Sequence, residues 1–159
     1  MKEAEAKYPE ESATQMVEVV LPNDTNLLGN VLGGRVMHWI DIAGAVAARR
    51  HSRRPVVTAS MDVLTFNHPI KLGEVAILEA SLVYVGKSSM EVEVRVFSEN
   101  QVTGERKQTS TANLTFVALD DNGKPTPVPK LKVRTEEQKR KLEEAEKRRE
   151  MRKRFKTEI

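Results

Sequence analysis

Asn30, Gly33, Gly34 and Asp41 stand close together in the run Pro22-Asn23-Asp24-Thr25-Asn26-Leu27-Leu28-Gly29-Asn30-Val31-Leu32-Gly33-Gly34-Arg35-Val36-Met37-His38-Trp39-Ile40-Asp41. That run joins a polar turn, a glycine pair and a helix start to an amide and a carboxylate. Gly33-Gly34 lets backbone approach a ligand closely, and the first N–H groups of the helix that follows have no acceptor within the helix. Such a start suits a polarised carbonyl oxygen or an anion. Asn30 can orient a water or a carbonyl oxygen but cannot take a proton at neutral pH; its other reading is the cap of a turn. Asp41 lies in an otherwise apolar helix, where an unpaired carboxylate is costly to desolvate. It either accepts hydrogen bonds from a neighbouring loop or basic residue, or acts as a general base toward water.

The remaining composition narrows the chemistry. Cysteine is absent, which excludes a disulfide framework, a thiolate nucleophile and a cysteine metal site. The three histidines, His38, His51 and His68, are far apart, so no metal site is expected. No Ser-His-Asp pattern is visible either. Hydrolysis by this chain would have to come from a carboxylate, an amide and water. The histidines read as surface, structural or turn residues, and Trp39 as a core or interface anchor.

The elements that must position these residues follow from periodicity. Met16 to Leu21 alternates as a first strand and ends at Pro22-Asn23-Asp24. From Arg35 to about Arg49 no proline interrupts, and Val36, Met37, Ile40, Ala43, Gly44, Val46 and Ala47 cover most of the circumference of a helix, which marks it as buried. Four further segments, Val56 to Leu64, Val75 to Val85, Ser89 to Glu99 and Lys107 to Leu119, read as strands, separated by Pro-, Gly- and Asn-rich turns. Strand, helix, then four strands on short connections is an α+β order, suited to an antiparallel β-sheet wrapped around a central α-helix. Such a sheet leaves edges and apolar surface uncovered, which a second copy would close.

Both ends differ from the middle. Residues 1–13 are expected to be a frayed, flexible N-terminus, 14–131 the folded domain, and 132–159 a charged C-terminal helix or tail. The segment Thr135 to Lys156 is helix-favouring and poor in apolar positions, and reads as a solvated helix held by charge pairs three and four residues apart, or one packed on another subunit. Residues 134–159 carry 11 Lys and Arg against 7 Asp and Glu, so the chain's net charge of +3 belongs to the tail. The expected partners therefore include no nucleic acid. No apolar run reaches the roughly 20 residues that span a bilayer. With a charged, leaderless start, no membrane partner and a cytoplasmic location are expected.

Eight blocks in order resemble the YciA-like and brain-type acyl-CoA thioesterases of the hotdog superfamily. They are Leu21 to Asn26, Gly29 to Gly34, Met37 to Gly44, Ala47 to His51, Val57 to Ser60, Phe66 to Ile70, Gly86 to Met90 and Phe116 to Asp120. The resemblance implies a hotdog fold, hydrolysis of acyl-CoA to free acid and CoA, and homo-oligomers, hotdog dimers often assembled three to a hexamer. It implies no cofactor, coenzyme A being part of the substrate. In brain-type members the matching asparagine and aspartate, here Asn30 and Asp41, complete a site across two hotdogs. YciA-like bacterial members commonly carry an aspartate at the first position; this chain departs from them, which shifts the role of base to Asp41. Gly33 and Gly34 would then hold the oxyanion. The family lays the pantetheine arm along stretches that match Thr58 and Ser60 and the turn Gly86, Lys87, Ser88 and Ser89. Lys87, Arg53 and Arg54 could reach phosphate.

Geometry adds one expectation. Asp41 lies seven residues beyond Gly34, about 10 Å along a helix, too far for both to address one carbonyl, so a partner chain is expected to share the site. The alternative on the same fold is a noncatalytic acyl-CoA or acyl-carrier binding module.

Overall fold

The computed structural model describes residues 4–62 and 64–157; residues 1–3, Val63 and residues 158–159, which fall within the expected N-terminus, strand and tail, lie outside the described residues. Five strands, β1 (Thr14–Val19), β2 (Val56–Met61), β3 (Val75–Val85), β4 (Ser89–Glu99) and β5 (Arg106–Ala118), accompany two long helices, α1 (Gly33–Ser52) and α2 (Glu136–Thr157). The sheet order is β1-β3-β4-β5-β2, with every neighbouring pair antiparallel. This is the hotdog arrangement: the curled sheet holds α1 on its concave face.

Alternation explains which side chains face that helix. Met90, Val92, Val94 and Val96 of β4 and Ala112, Leu114, Phe116 and Ala118 of β5 are buried in one core with Val36, Ile40, Ala43, Ala47 and Ala48 of α1. Small residues set the distance. A β-carbon on Gly44 would stand 3.0 Å from two atoms of the Phe116 ring and 3.6 Å from Val94 Cγ2.

Segments outside the sheet fix the far end of α1. Arg53 closes the helix in the left-handed conformation, and Lys7 Nζ donates to the carbonyls of Arg50 (3.3 Å) and His51 (3.0 Å). The Lys7 backbone pairs with Lys130 and Lys132 on either side, and Pro9 and Ser12 are buried. Residues 7–12 therefore depart from the expected frayed terminus: their backbone and the Lys7 ammonium meet the unsatisfied carbonyls of a helix end.

The C-terminal helix also departs from a solvated reading. It lies on the outer face of its own chain's sheet with Ala145 fully buried, and Lys141 Nζ reaches Glu93 Oε1 at 2.9 Å. Glu91, 1% exposed, accepts from Arg148 Nη2 at 2.8 Å and Arg152 Nη1 at 3.0 Å. Arg152 Nη1 also donates to Asp62 Oδ2 at 3.0 Å, just past the end of β2. Burial opposes the charge on Arg148, but hydrogen bonding and attraction to Glu91, with Asp62 and Glu144, hold its pKa above the usual arginine value. Strand β2 stops at Met61, short of the expected Leu64, where Asp62 turns toward these arginines. Among the described residues no helix is long and apolar enough to cross a membrane.

Two predictions follow from this packing. Gly44→Ala should destabilise the fold by about 1–3 kcal/mol, because the added carbon, 3.0 Å from two atoms of the fully buried Phe116 ring, forces that ring to shift within a packed core. That outweighs the roughly 1 kcal/mol that alanine offers a helix. A denaturant titration in which the variant equals or exceeds the wild type would refute the account.

His51 is fully buried, its Nε2 lies 2.7 Å from the Pro129 carbonyl, and Nδ1 has no partner among the described residues. Desolvation pushes its pKa down, with the Pro129 carbonyl opposing. The unfolded chain thus takes up this proton first as pH falls. Stability from neutral His51 is complete above the unfolded pKa, about 6.5, and is lost below it until the folded pKa is passed. Thermal unfolding from pH 7.5 to 5.5 should decline more steeply for wild type than for His51→Gln, and parallel curves would remove His51 as the cause.

Candidate active site

The loop before α1 is a tight hairpin. Asn26 N donates to the Asn30 carbonyl at 2.8 Å, and Gly29 occupies φ +78°, a conformation that glycine adopts without strain. Asn26 Oδ1 accepts from Leu28 N at 2.9 Å and Asn30 N at 3.2 Å, which fixes the plane of its amide. Leu27 and Leu28 project at the tip, 107% and 83% exposed. Below the tip, Asp24 accepts from Leu21 N at 2.9 Å and pairs with Arg35 Nε at 3.2 Å, binding the loop to the first turn of α1.

Helix α1 begins at Gly33 with Leu32 as N-cap and no side-chain cap. The N–H groups of Gly33 and Gly34 thus begin the helix without intrahelical acceptors. The Phe66 ring lies beside Gly33, 3.4 Å from where a β-carbon would stand. Two turns further on, half-buried Asp41 receives a hydrogen bond from Thr58 Oγ1 to its Oδ1 at 2.6 Å.

Thr58 and Ser60 part company at a bulge. Thr58 is opposite Phe116 and Ser60 opposite Thr115, with Ala59 as the extra residue. Since Phe116 faces the core and Thr115 the outer side, Thr58 points to α1 while Ser60 points to α2. Thr58 and Ser60, both expected along the pantetheine arm, thus lie on opposite faces of the sheet.

Of the residues expected at the site, the structure brings Thr58 to Asp41. Asn30 takes part through its backbone, which also bridges to Lys71. Ser60 and Ser89 share an outer cleft with Arg149. The turn Gly86, Lys87, Ser88 and Ser89 is closed by Gly86 N donating to the Ser89 carbonyl at 2.8 Å, with Lys87 exposed. Arg53 and Arg54 line a separate shallow depression with Arg49 and Arg50 at the C-terminal end of α1. Strand register places this end of α1 and the Gly86 turn near the same end of the sheet, where β2 starts and β3 ends. Asn26, to which sequence alone assigns no separate role, is the loop asparagine whose side chain the structure fixes. Three asparagines, Asn23, Asn26 and Asn30, stand in the loop, and no local pattern ranks them.

Exposed apolar side chains surround this region: Leu32, Met37, Ile42, Val57 and Phe66 are each 39–51% exposed. Strand β2 is an edge of the sheet. An open sheet edge and exposed apolar surface thus border Asp41 and the start of α1.

Comparison with known proteins agrees with this geometry. Residues 28–105 match the Thioesterase superfamily. The chain is 45% identical over 138 residues to the acyl-CoA thioester hydrolase YkhA of Bacillus subtilis, an alignment covering 87% of this chain and 80% of the relative. A hexameric acyl-CoA thioesterase superposes with a TM-score of 0.91 at 43% identity, covering 96% of this chain and 97% of the other. An acyl-CoA hydrolase from Staphylococcus aureus, solved with butyryl coenzyme A and coenzyme A, superposes with a TM-score of 0.89 at 37% identity, covering 96% and 93%. That hydrolase has also been solved with an aspartate, an asparagine or a threonine replaced by alanine, the asparagine 15 positions before the aspartate and the threonine 17 after it. With its curled sheet, central helix and these relatives, the chain belongs to the hotdog-fold acyl-CoA thioesterases of the Thioesterase superfamily.

Proposed function

We propose that this protein hydrolyses acyl-CoA thioesters to free acid and CoA, with Asp41 as general base and Thr58 and Asn26 as its companions. The observation that carries the reading is the 2.6 Å hydrogen bond from Thr58 to Asp41. These two residues are 17 positions apart, and Asn26 stands 15 before Asp41. The same spacings separate the three residues replaced in the Staphylococcus aureus hydrolase. Asn30 stands 11 before Asp41 and does not fit.

The chemistry follows from the groups. Thr58 occupies Asp41 Oδ1 and leaves Oδ2 to take a proton from water as its oxygen attacks the thioester carbon. The N–H groups at the start of α1 stabilise the oxyanion of the tetrahedral intermediate. Collapse expels the CoA thiolate, which receives the proton held on Asp41. The Asn26 amide, its oxygen held by two backbone donors, presents its N–H groups to the carbonyl or the water, while the Asn30 backbone keeps it in place. No metal or cofactor takes part, and a cytoplasmic enzyme fits this reading. The separation of Gly34 and Asp41 along α1 supports a site shared across a dimer joined at β2, within a hexamer like those of its relatives. The partner would cover Leu27, Leu28 and Phe66.

Release of free thiol from acyl-CoA separates a hydrolase from a noncatalytic binder. Asp41→Asn should lower kcat by about 100-fold or more with the assembly intact. Thr58→Val should lose part of the activity and Thr58→Ser recover it. Near-normal turnover by Asp41→Asn would make that residue structural.

Asn26→Ala should cut kcat at least about tenfold with a smaller effect on KM, whereas Asn30→Ala should stay within a few-fold of wild type. The reverse order would return the amide role to Asn30. If the site is shared, mixing Asn26→Ala with Asp41→Asn subunits under exchange should raise activity well above either parent, and no recovery despite proven exchange would place the site within one chain.

A further inference from the structure

An aromatic ring lies against the start of α1 without belonging to the core. Phe66 is 51% exposed, yet its Cζ and Cε2 stand 3.4 and 3.5 Å from where a β-carbon on Gly33 would be. Backbone bonds hold the ring there from both sides. Asn67 N donates to the Thr109 carbonyl at 3.0 Å, and Val31 N, just before the helix, donates to the Ile70 carbonyl at 2.7 Å. Glycine at 33 leaves no side chain between the ring and the helix backbone. Met37 and Asp41 follow Gly33 at intervals of four residues, so each stands over the last on one side of the helix, about 6 Å further along the axis. Met37 is 44% exposed and Leu32, the N-cap, 43%. An apolar floor thus borders the first N–H groups of α1.

Two properties of this floor point to a hydrocarbon ligand. Of the two arms that leave a thioester carbonyl, the CoA arm carries amides and the acyl arm is hydrocarbon. A phenyl ring, an isobutyl group and a thioether give amides no useful hydrogen-bond partner, but they take methylene groups out of water. The second property is position. Phe66, Leu32 and Met37 stand beside Gly33 of their own chain, so whichever chain supplies Asp41, they reach a carbonyl held at the helix start without crossing the sheet edge. A second copy joined at β2 would close the floor from its open side into a slot.

We propose that Phe66 and Met37 are specificity-determining residues that receive the acyl chain of the substrate immediately beyond the thioester carbonyl. The inference rests on the reading of the chain as an acyl-CoA hydrolase whose oxyanion is held at the start of α1, and it adds the path of the acyl group. Phe66, rigid and fixed against Gly33, takes the first methylenes. Met37, unbranched and flexible, adapts to those that follow.

The test measures kcat/KM for wild type, Phe66→Ala, Phe66→Leu and Met37→Ala on straight-chain acyl-CoA from acetyl to octanoyl. Calorimetry gives Kd for the thioethers S-ethyl-CoA and S-octyl-CoA, which cannot be hydrolysed. The loss in Phe66→Ala should be smallest on acetyl-CoA and grow with chain length to at least about tenfold on octanoyl-CoA, since each methylene deprived of contact costs up to about fourfold. Met37→Ala should show the same trend more weakly, and Phe66→Leu should recover most of the loss. Wild type should bind S-octyl-CoA at least about tenfold more tightly than S-ethyl-CoA, and Phe66→Ala should lose most of that difference. Val17→Ala, at an exposed apolar position on the opposite edge strand, should change neither trend. A loss equal at every chain length, with or without dissociation of the assembly, would overturn the proposal by reducing Phe66 to a structural or interface residue. An unchanged profile, or a gain on long chains, would overturn it too. If wild type releases no thiol from any acyl-CoA, the hydrolase reading fails while the two thioethers still decide the floor.

Discussion

The close approach of α1 to the concave face of the sheet is the constraint on which the rest of the molecule depends. A helix carrying Gly44, Ala43, Ala47 and Ala48 on its inward side can settle against Phe116 and Val94, where a larger side chain would hold it away. That depth brings Asp41 within reach of Thr58 on an edge strand. It also sets the position of Gly33, where the helix starts beside the loop that Asp24 and Arg35 hold. The proposed site and the core packing therefore share one helix. Its inward face is apolar and tightly fitted, while its flank carries the carboxylate.

The outer face obeys a different physics. Few apolar side chains of α2 are available to bury, and Ala145 marks the close contact. Docking is carried by charges: Glu93 with Lys141, and Glu91 with Arg148 and Arg152. A carboxylate 1% exposed is tolerable because two guanidiniums supply its hydrogen bonds, whereas removing one partner of such a cluster leaves a charge that water no longer reaches. The helix is thereby held in register with β4 and, through Asp62, with the end of β2.

The sequence was most legible where period and burial coincide. The bounds read for β3 and β4 agree with the structure because long alternation between turns leaves no other reading. The helix was legible in its interior and short at both ends, since its N-terminus is set by the loop and its C-terminus by Lys7 and Pro129, which are distant in sequence. The outer position of α2 was hidden for the same reason. Glu91 and Glu93 look like solvent-facing residues of a half-buried strand until their partners 48 to 61 residues later are known. Asp41 stood out as a charge on an apolar helix. Asn26 did not, because an asparagine whose side chain accepts from the backbone of its own turn looks in sequence like any other loop asparagine, and its backbone partners became visible only in the folded hairpin.

The extra residue in β2 makes strand length itself a determinant. Side chains on an extended strand alternate sides, so one additional position resets the phase of everything after it. Val56 and Thr58 before Ala59 face the interior, and after it Met61 does, so the inward phase passes from even to odd positions. If Ala59 paired regularly opposite Thr115 instead, composition would be unchanged and yet Ser60 would turn inward and Met61 outward. Six residues thus serve two surfaces at once, and the strand owes that to one unpaired backbone position rather than to any of its side chains.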